Sequence, residues 1–176
     1  MKKVKTTLFL LAAYLLSTSL TAQSDSVFIS KQSDDMEDKS YYYPSRKIIC
    51  VAADKKKGFS CMASVDENKS NLQCGGLTVK MINIGSCCEK NELIFLFEDD
   101  SKITVYSWND FNCKGNAWFN LTSSEEKKLA SLRLKKIKIK NGSTFDSYTH
   151  EMQEDQDYFI QFFIALKSQK VTEVKK

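Results

Sequence analysis

Apolar and polar positions are most sharply organised between Glu92 and Trp108, in ELIFLFEDDSKITVYSW. Two apolar runs, Leu93 to Phe97 and Ile103 to Trp108, flank the polar knot Glu98-Asp99-Asp100-Ser101, the pattern of a β-hairpin. The first run is apolar at both parities, as in a strand covered on both faces. In the second, Ile103 and Val105 alternate with Thr104, Tyr106 and Trp108, residues suited to a pleated surface. Around this hairpin the pattern predicts strands over Lys47 to Ala53, Phe59 to Ala63 and Leu77 to Ile84, with Gly75-Gly76 as a turn, and a short strand at Ala117-Trp118-Phe119. Thr122 followed by Glu125 is a capping box and opens a short helix over Leu129 and Leu132. Lys135 to Lys140 reads KKIKIK, which sends Ile137 and Ile139 one way and Lys136, Lys138 and Lys140 the other. After the Asn141-Gly142 turn, Thr144 to Thr149 is a last strand. A closing helix from Glu154 or Asp155 buries Phe159, Phe162, Phe163 and Leu166. Hairpins followed by helices give an α+β class: a single antiparallel sheet of five to seven strands packed by two helices near the C-terminus.

The flanks read differently. Lys2, Lys3 and Lys5, the apolar run Leu8 to Leu16 and the small and polar residues Ser17 to Ala22 form a secretory signal pattern, with cleavage after Ala22 or Ser19. The run is too short to span a bilayer, and no later stretch is long enough, so the mature chain is expected to lack a transmembrane segment. The organisation is then a signal peptide at 1–22, a polar segment at 23–46, one domain at 47–168 and a frayed tail at 169–176. Ser30 to Ser40 carries too little apolar content to order itself. Tyr41-Tyr42-Tyr43, beside it, is a strand-edge aromatic group packing over the core or a binding platform.

Removing the leader changes the charge. The chain has 26 Lys+Arg against 22 Asp+Glu, and without Lys2, Lys3 and Lys5 the basic count falls to 23. A nearly neutral mature chain argues against a nucleic-acid partner. Six cysteines remain, Cys50, Cys61, Cys74, Cys87, Cys88 and Cys113. In an exported chain, secreted or periplasmic, an even count predicts disulfides. Centring the hairpin turn between Lys55 and Lys56 sets Cys50 opposite Cys61, and Cys74 and Cys113 would take Cys87 and Cys88 in some order.

Candidate chemistry is sparse. His150 has Asp146, Ser147 and Glu151 near it in sequence but no nucleophile elbow. The cysteines lack paired zinc-ligand spacing. Asp99-Asp100 and Glu154-Asp155-Gln156-Asp157 lack the ligand alternation of a calcium loop. No metal, cofactor or catalytic residue is assigned, and the chain is read as non-enzymatic. Cys87-Cys88 keeps a thiol-redox protein open as an alternative, and a small disulfide-rich inhibitor is another. The strongest surface feature is basic, from Lys127 to Lys140, where Lys136, Lys138 and Lys140 share a face. That face suits an anionic glycan, a lipid or another envelope protein; lysines on an exposed edge strand also block edge-to-edge pairing. Sequons at Asn68, Asn120 and Asn141 matter only where glycosylation machinery exists. The expectation is an exported binding or structural domain.

The stretch NDFNCKGNAWFNLTSSEEKKLASLRLKKIKIKNG with DYFIQFF resembles a group of small exported bacterial proteins. In that group a sheet hairpin leads through a cysteine-glycine loop to a capped helix, a basic strand and a terminal aromatic helix. The resemblance implies an export but no activity, ligand or residue role.

Overall fold

The computed structural model describes residues 26–34, 36, 38–68, 71–84, 90–108, 115–169 and 171–173. The signal peptide expected at 1–22, and Cys87, Cys88 and Cys113, lie outside them. The described chain is mostly β. Its strands are β1 (Ile29–Asp34), β2 (Lys39–Pro44), β3 (Ile48–Val51), β4 (Gly58–Asn68), β5 (Asn71–Ile82), β6 (Glu92–Phe97), β7 (Lys102–Tyr106), β8 (Asn116–Phe119), β9 (Leu134–Lys140), β10 (Ser147–Glu151) and β11 (Val171–Glu173). Two helices, α1 (Ser123–Leu129) and α2 (Tyr158–Lys167), complete it.

The strands form three sheets, β11-β1-β2, β10-β9-β6-β7 and β3-β4-β5-β8. This overturns the expected single sheet of five to seven strands. Hairpin patterns identify neighbours in sequence, whereas the partition into sheets depends on β6 joining β9 and β5 joining β8, pairings across long separations. The two four-stranded sheets meet at one antiparallel bridge, Ser107↔Phe119.

Strand alternation fills the core. Ile48, Cys50, Phe59, Cys61, Leu77, Val79 and Met81 point inward from one four-stranded sheet, and Leu93, Phe95, Phe97, Ile137 and Ile139 from the other. Phe59 meets Tyr148 edge-on at 6.2 Å between ring centroids, joining the two inner faces. Helix α2 covers this core. Phe159 stands edge-on to Phe95 at 5.5 Å, and the Tyr158 hydroxyl donates to the Arg46 carbonyl (3.0 Å) while accepting from the Ala63 N–H (3.3 Å). Phe162 and Leu166 are buried and Phe163 is half-buried. The helix starts at Tyr158, later than the acidic run suggested, because Asp155 sits at φ 57° and pairs with Arg46 instead of entering the first turn.

Helix α1 follows its pattern. The Thr122 N–H donates to Glu125 Oε2 (2.6 Å) and the Glu125 N–H to Thr122 Oγ1 (3.3 Å), closing the capping box.

Three local readings are corrected. Ser30 to Ser40, expected to be unordered, contributes β1 and the start of β2, whose stability comes from pairing: β1 is antiparallel to β2 and parallel to β11. The same pairing draws Val171–Glu173 out of the expected frayed tail. Gly75-Gly76 is no turn but lies within β5. Ala63 pairs Leu77 and Val65 pairs Cys74, so Ser64 faces both glycines, a β-bulge. Gly76 adopts φ 100°, and a Cβ there would lie 2.5 Å from the Phe119 carbonyl oxygen; at Gly75 it would meet the Asp66 carboxylate at 2.6 Å. A backbone carbonyl cannot move aside and a surface carboxylate can. Gly76→Ala is therefore expected to cost about 2 kcal/mol and Gly75→Ala less, read as urea midpoints. Equal midpoints for the two variants would contradict this.

The third correction concerns disulfides. No cysteine pair among the described residues is at bonding distance, and Cys50, Cys61 and Cys74 are free thiols. Cys50 pairs Phe59 and Ile48 pairs Cys61, a register two residues off the one that faced Cys50 with Cys61. The turn moves it: Lys55 is left-handed at φ 57°, its N–H donates to Ala52 O (2.8 Å), and the Asp54 carboxylate accepts from the Lys56 N–H (3.0 Å). Cys50 and Cys61 become diagonal neighbours on one face, a separation of roughly 7–8 Å, outside bridging range. A disulfide-stabilised first half loses its basis.

Candidate functional site

Three exposed aromatic side chains gather where the two four-stranded sheets touch. In β7, Ile103 and Val105 are buried, so alternation turns Thr104 and Tyr106 outward, and Trp108 continues that parity. In β8, Ala117 and Phe119 are buried, which turns Trp118 outward. In the antiparallel register of the Ser107↔Phe119 bridge, Trp108 falls opposite Trp118, and the Trp108 N–H donates to the Trp118 carbonyl (3.2 Å). These are the chain's two tryptophans. Their exposures are 65% and 41%, and that of Tyr106 is 59%.

The seam is held from below by buried polar groups. Asn91 is fully buried; its N–H donates to Ser107 Oγ (3.1 Å), its carbonyl accepts from the Ser107 N–H (3.0 Å), and its Oδ1 accepts from the Gly142 N–H (3.2 Å). One residue thus ties the end of β7, through its backbone, to the β9–β10 loop, through its side chain. On the other side, Met81 N–H donates to Gly115 O (2.8 Å), and β5 pairs Thr78 with Trp118.

The surround of the seam is polar. Thr78 lies beside Trp118, and its hydroxyl is 3.0 Å from that of Ser64. Glu92 lies beside Tyr106 and receives the Lys140 ammonium at 3.1 Å. Lys140 is also 5.6 Å from the Phe145 ring centroid.

The three lysines singled out from the sequence do share the outer face, but their strand is internal, between β10 and β6, so edge protection does not explain them. Acids partly neutralise the row. Lys136 binds Glu151 at 2.5 Å and Lys140 binds Glu92, while Lys138, between Thr149 and Ile94, has no ion pair among the described residues. Ile94 and Leu96, expected to be covered, are half-buried on this same face.

The other candidates disperse. Along β10, His150 and Tyr148 pair with the inward Ile137 and Ile139, whereas Glu151 pairs with Lys136 on the outer face. Asp146 accepts from the Thr144 hydroxyl (3.0 Å). Alternation thus splits the residues that sequence proximity had grouped. Burial pushes the Cys50 thiol up to about 12 and Cys74 to about 11, and moves Cys61 further in the same direction; such thiols stay protonated and unreactive. Asp99 caps the Ser101 N–H in the β6–β7 turn (3.0 Å). Among the described residues no group of three or more His, Cys, Asp or Glu side chains is placed to hold a metal ion, and no helix is long and apolar enough to cross a membrane. Of the tyrosine triplet, Tyr42 packs on the core and the Tyr43 hydroxyl donates to Gln32 Oε1 (2.9 Å).

Burial also holds the His150 imidazole below its ordinary value of 6.5. As pH falls below that value the unfolded chain takes up a proton before the folded one does. Stability therefore rises with pH through this window and is lost as pH falls through it toward the folded value. The urea midpoint is expected to drop between roughly pH 7 and pH 5, and His150→Gln to flatten that drop. A slope unchanged by the substitution would contradict it.

Sequence reasoning placed Tyr106 and Trp108 on one parity but did not pair Trp108 with Trp118. The signal available was the flanking of Trp118 by Ala117 and Phe119, which alternation must bury together. Comparison with protein-family models, curated proteins and solved structures returns no match.

Proposed function

We propose that this protein is an exported, non-enzymatic binding module whose contact surface is the aromatic seam of Tyr106, Trp108 and Trp118. The observation that carries the reading is the cross-strand tryptophan pair, opposed on the outer face of the Ser107↔Phe119 bridge and exposed to solvent. Large aromatics dominate the energetics of recognition because they bring wide contact area at low conformational cost. Leaving two tryptophans and a tyrosine in water on a small domain forgoes the burial that would otherwise stabilise its core. The divergence of His150 from Glu151 and the protonated state of the described thiols favour binding over catalysis.

Export is supported by the basic, apolar and small-residue order of residues 1–22. The mass of the protein recovered outside the cytoplasm tests it: a chain beginning at Gln23 or Leu20 is expected, and an intact leader there would overturn cleavage.

Binding is tested with a panel of uncharged and anionic polysaccharides, anionic-lipid vesicles and extracellular proteins, comparing the native chain with a Trp108→Ala/Trp118→Ala variant. Saturable binding to a panel member, lost in the variant, is expected. Absence of binding across the panel, or binding indifferent to both substitutions, would overturn the reading.

A further inference from the structure

We infer that the seam binds an acidic polysaccharide, a polymer of uronate-bearing sugars whose carboxylates are held by Lys80, Lys102 and Lys138; the inference rests on the binding-module reading and names its ligand class. Strand register and the distribution of ion pairs select this ligand.

Register places the lysines on both flanks of the seam. In β5, Val79 and Met81 are buried, so Lys80 between them faces outward and is exposed. It pairs with Asn116, two positions along β8 from Trp118, which makes Lys80 and Trp118 diagonal neighbours, roughly 7–8 Å apart. In β7, the exposed Lys102 shares the outward parity of Thr104 and Tyr106. It stands one turn of that alternation beyond Thr104, about 13 Å of extended backbone from Tyr106. Lys138 pairs with Ile94, which pairs in turn with Thr104.

The charge on these faces is not balanced. Lys135, Lys136 and Lys140 are bound by Asp100, Glu151 and Glu92. Lys80, Lys102 and Lys138 have no ion pair among the described residues. Uncompensated cations therefore remain on the β5 side of the seam, at Lys80, and on the β7 side, at Lys102 and Lys138. Such a distribution attracts a negatively charged ligand.

The arrangement also narrows the class of anion. Lys80 and Lys102 lie on opposite flanks of the seam, too far apart for one small anion to meet both, so the ligand carries its charges along an extended chain. Between them Tyr106, Trp108 and Trp118 offer apolar surface to the C–H groups of sugar units. Glu92 and Glu151 stand among the lysines. A nucleic acid, with a phosphate on every nucleotide, would set negative charge against both carboxylates. A uronate polymer separates its charges by hydroxyl-bearing units, and those hydroxyls donate to carboxylates. Shape selects against a bilayer: the inner faces of the two sheets meet through Phe59 and Tyr148, so their outer faces turn apart. A flat membrane cannot meet Lys80 on one sheet and Lys138 on the other together, whereas a flexible chain follows the turn.

Native affinity electrophoresis tests the inference, with the full chain run through gels containing polygalacturonate or alginate. Uncharged β-glucan gels, anionic phospholipid vesicles and a single-stranded oligonucleotide form the contrasting arms. Retardation by a uronate polymer, weakening as salt rises, is expected. Lys80→Gln, Lys102→Gln and Lys138→Gln should each weaken it about two- to fivefold, and the triple variant about tenfold or more. These outward-facing substitutions keep the side-chain stem and leave the core untouched. Lys167→Gln, which removes the same charge from the exposed end of helix α2, should leave retardation unchanged. Uronate binding indifferent to the triple variant would overturn the inference. Binding confined to the uncharged glucan, the vesicles, the oligonucleotide or a protein, and lost in Trp108→Ala/Trp118→Ala, would overturn the acidic ligand while leaving a binding module. Silence in every arm would remove both readings.

Discussion

Phe159→Ala is expected to destabilise the protein by roughly 3–5 kcal/mol, the largest effect of any single side-chain truncation proposed for it. Phe159 is 1% exposed and stands edge-on to two rings, Phe95 of β6 at 5.5 Å and Tyr158 at 5.0 Å. Its removal takes away the transfer free energy of the ring and both edge-to-face contacts. The cavity left behind is bounded by strand residues that cannot collapse into it without breaking the ladder that holds them. For a chain of this length the melting temperature should fall on the order of 10 °C. Ile164, on the same helix but 57% exposed, is the control; Ile164→Ala should change stability by no more than about 0.5 kcal/mol. Thermal and urea unfolding of the two variants check the contrast. Similar losses in both would mean that helix α2 does not face the sheet as described.

The second large effect is polar. Asn141 is fully buried at the end of β9. Its Nδ2 donates to the Ile84 carbonyl (3.0 Å), and its Oδ1 accepts from the N–H groups of Ser143 (2.9 Å) and Thr144 (3.0 Å). Asn141→Ala leaves the carbonyl of the buried Ile84 without this donor, while the amides of the exposed Ser143 and Thr144 can turn to water. The expected cost is about 2–3 kcal/mol, the penalty for an abandoned buried carbonyl together with lost loop order. Asn141→Asp should also be destabilising, since the carboxylate keeps both amide bonds but sets a negative charge against that carbonyl. Urea midpoints for the two variants decide it: a wild-type midpoint for Asn141→Ala would remove Asn141 as the organiser of the loop. The same burial shows why the Asn141-Gly142-Ser143 sequon has no amide to offer in the folded chain.

Much of the local structure was legible because its determinants lie within a few residues. Alternation located the β6–β7 hairpin and oriented KKIKIK, and Thr122 with Glu125 marked the start of α1. What escaped was set by partners distant in sequence. The polar β1, ISKQSD, has no apolar pattern strong enough to announce a strand, and its order comes from β2 and β11. The β3–β4 register turned on the left-handed Lys55 and the Asp54 cap, which shift the pairing by two residues and separate Cys50 from Cys61. The seam was half-legible. Parity oriented each tryptophan once its neighbours were known to be buried, but only the Ser107↔Phe119 bridge sets the two side by side.

That juxtaposition underlies both functional inferences and can be examined before any ligand is known. Because Trp108 and Trp118 are the only tryptophans, all indole emission of the native chain reports on the seam. The direct measurement is quenching of that emission by a small neutral quencher such as acrylamide, in the native chain and in Trp108→Phe and Trp118→Phe. Red-shifted, readily quenched emission from both sites is predicted, with Trp108 the more accessible. Blue-shifted emission that resists the quencher at either site would place that indole in the core and contradict the seam.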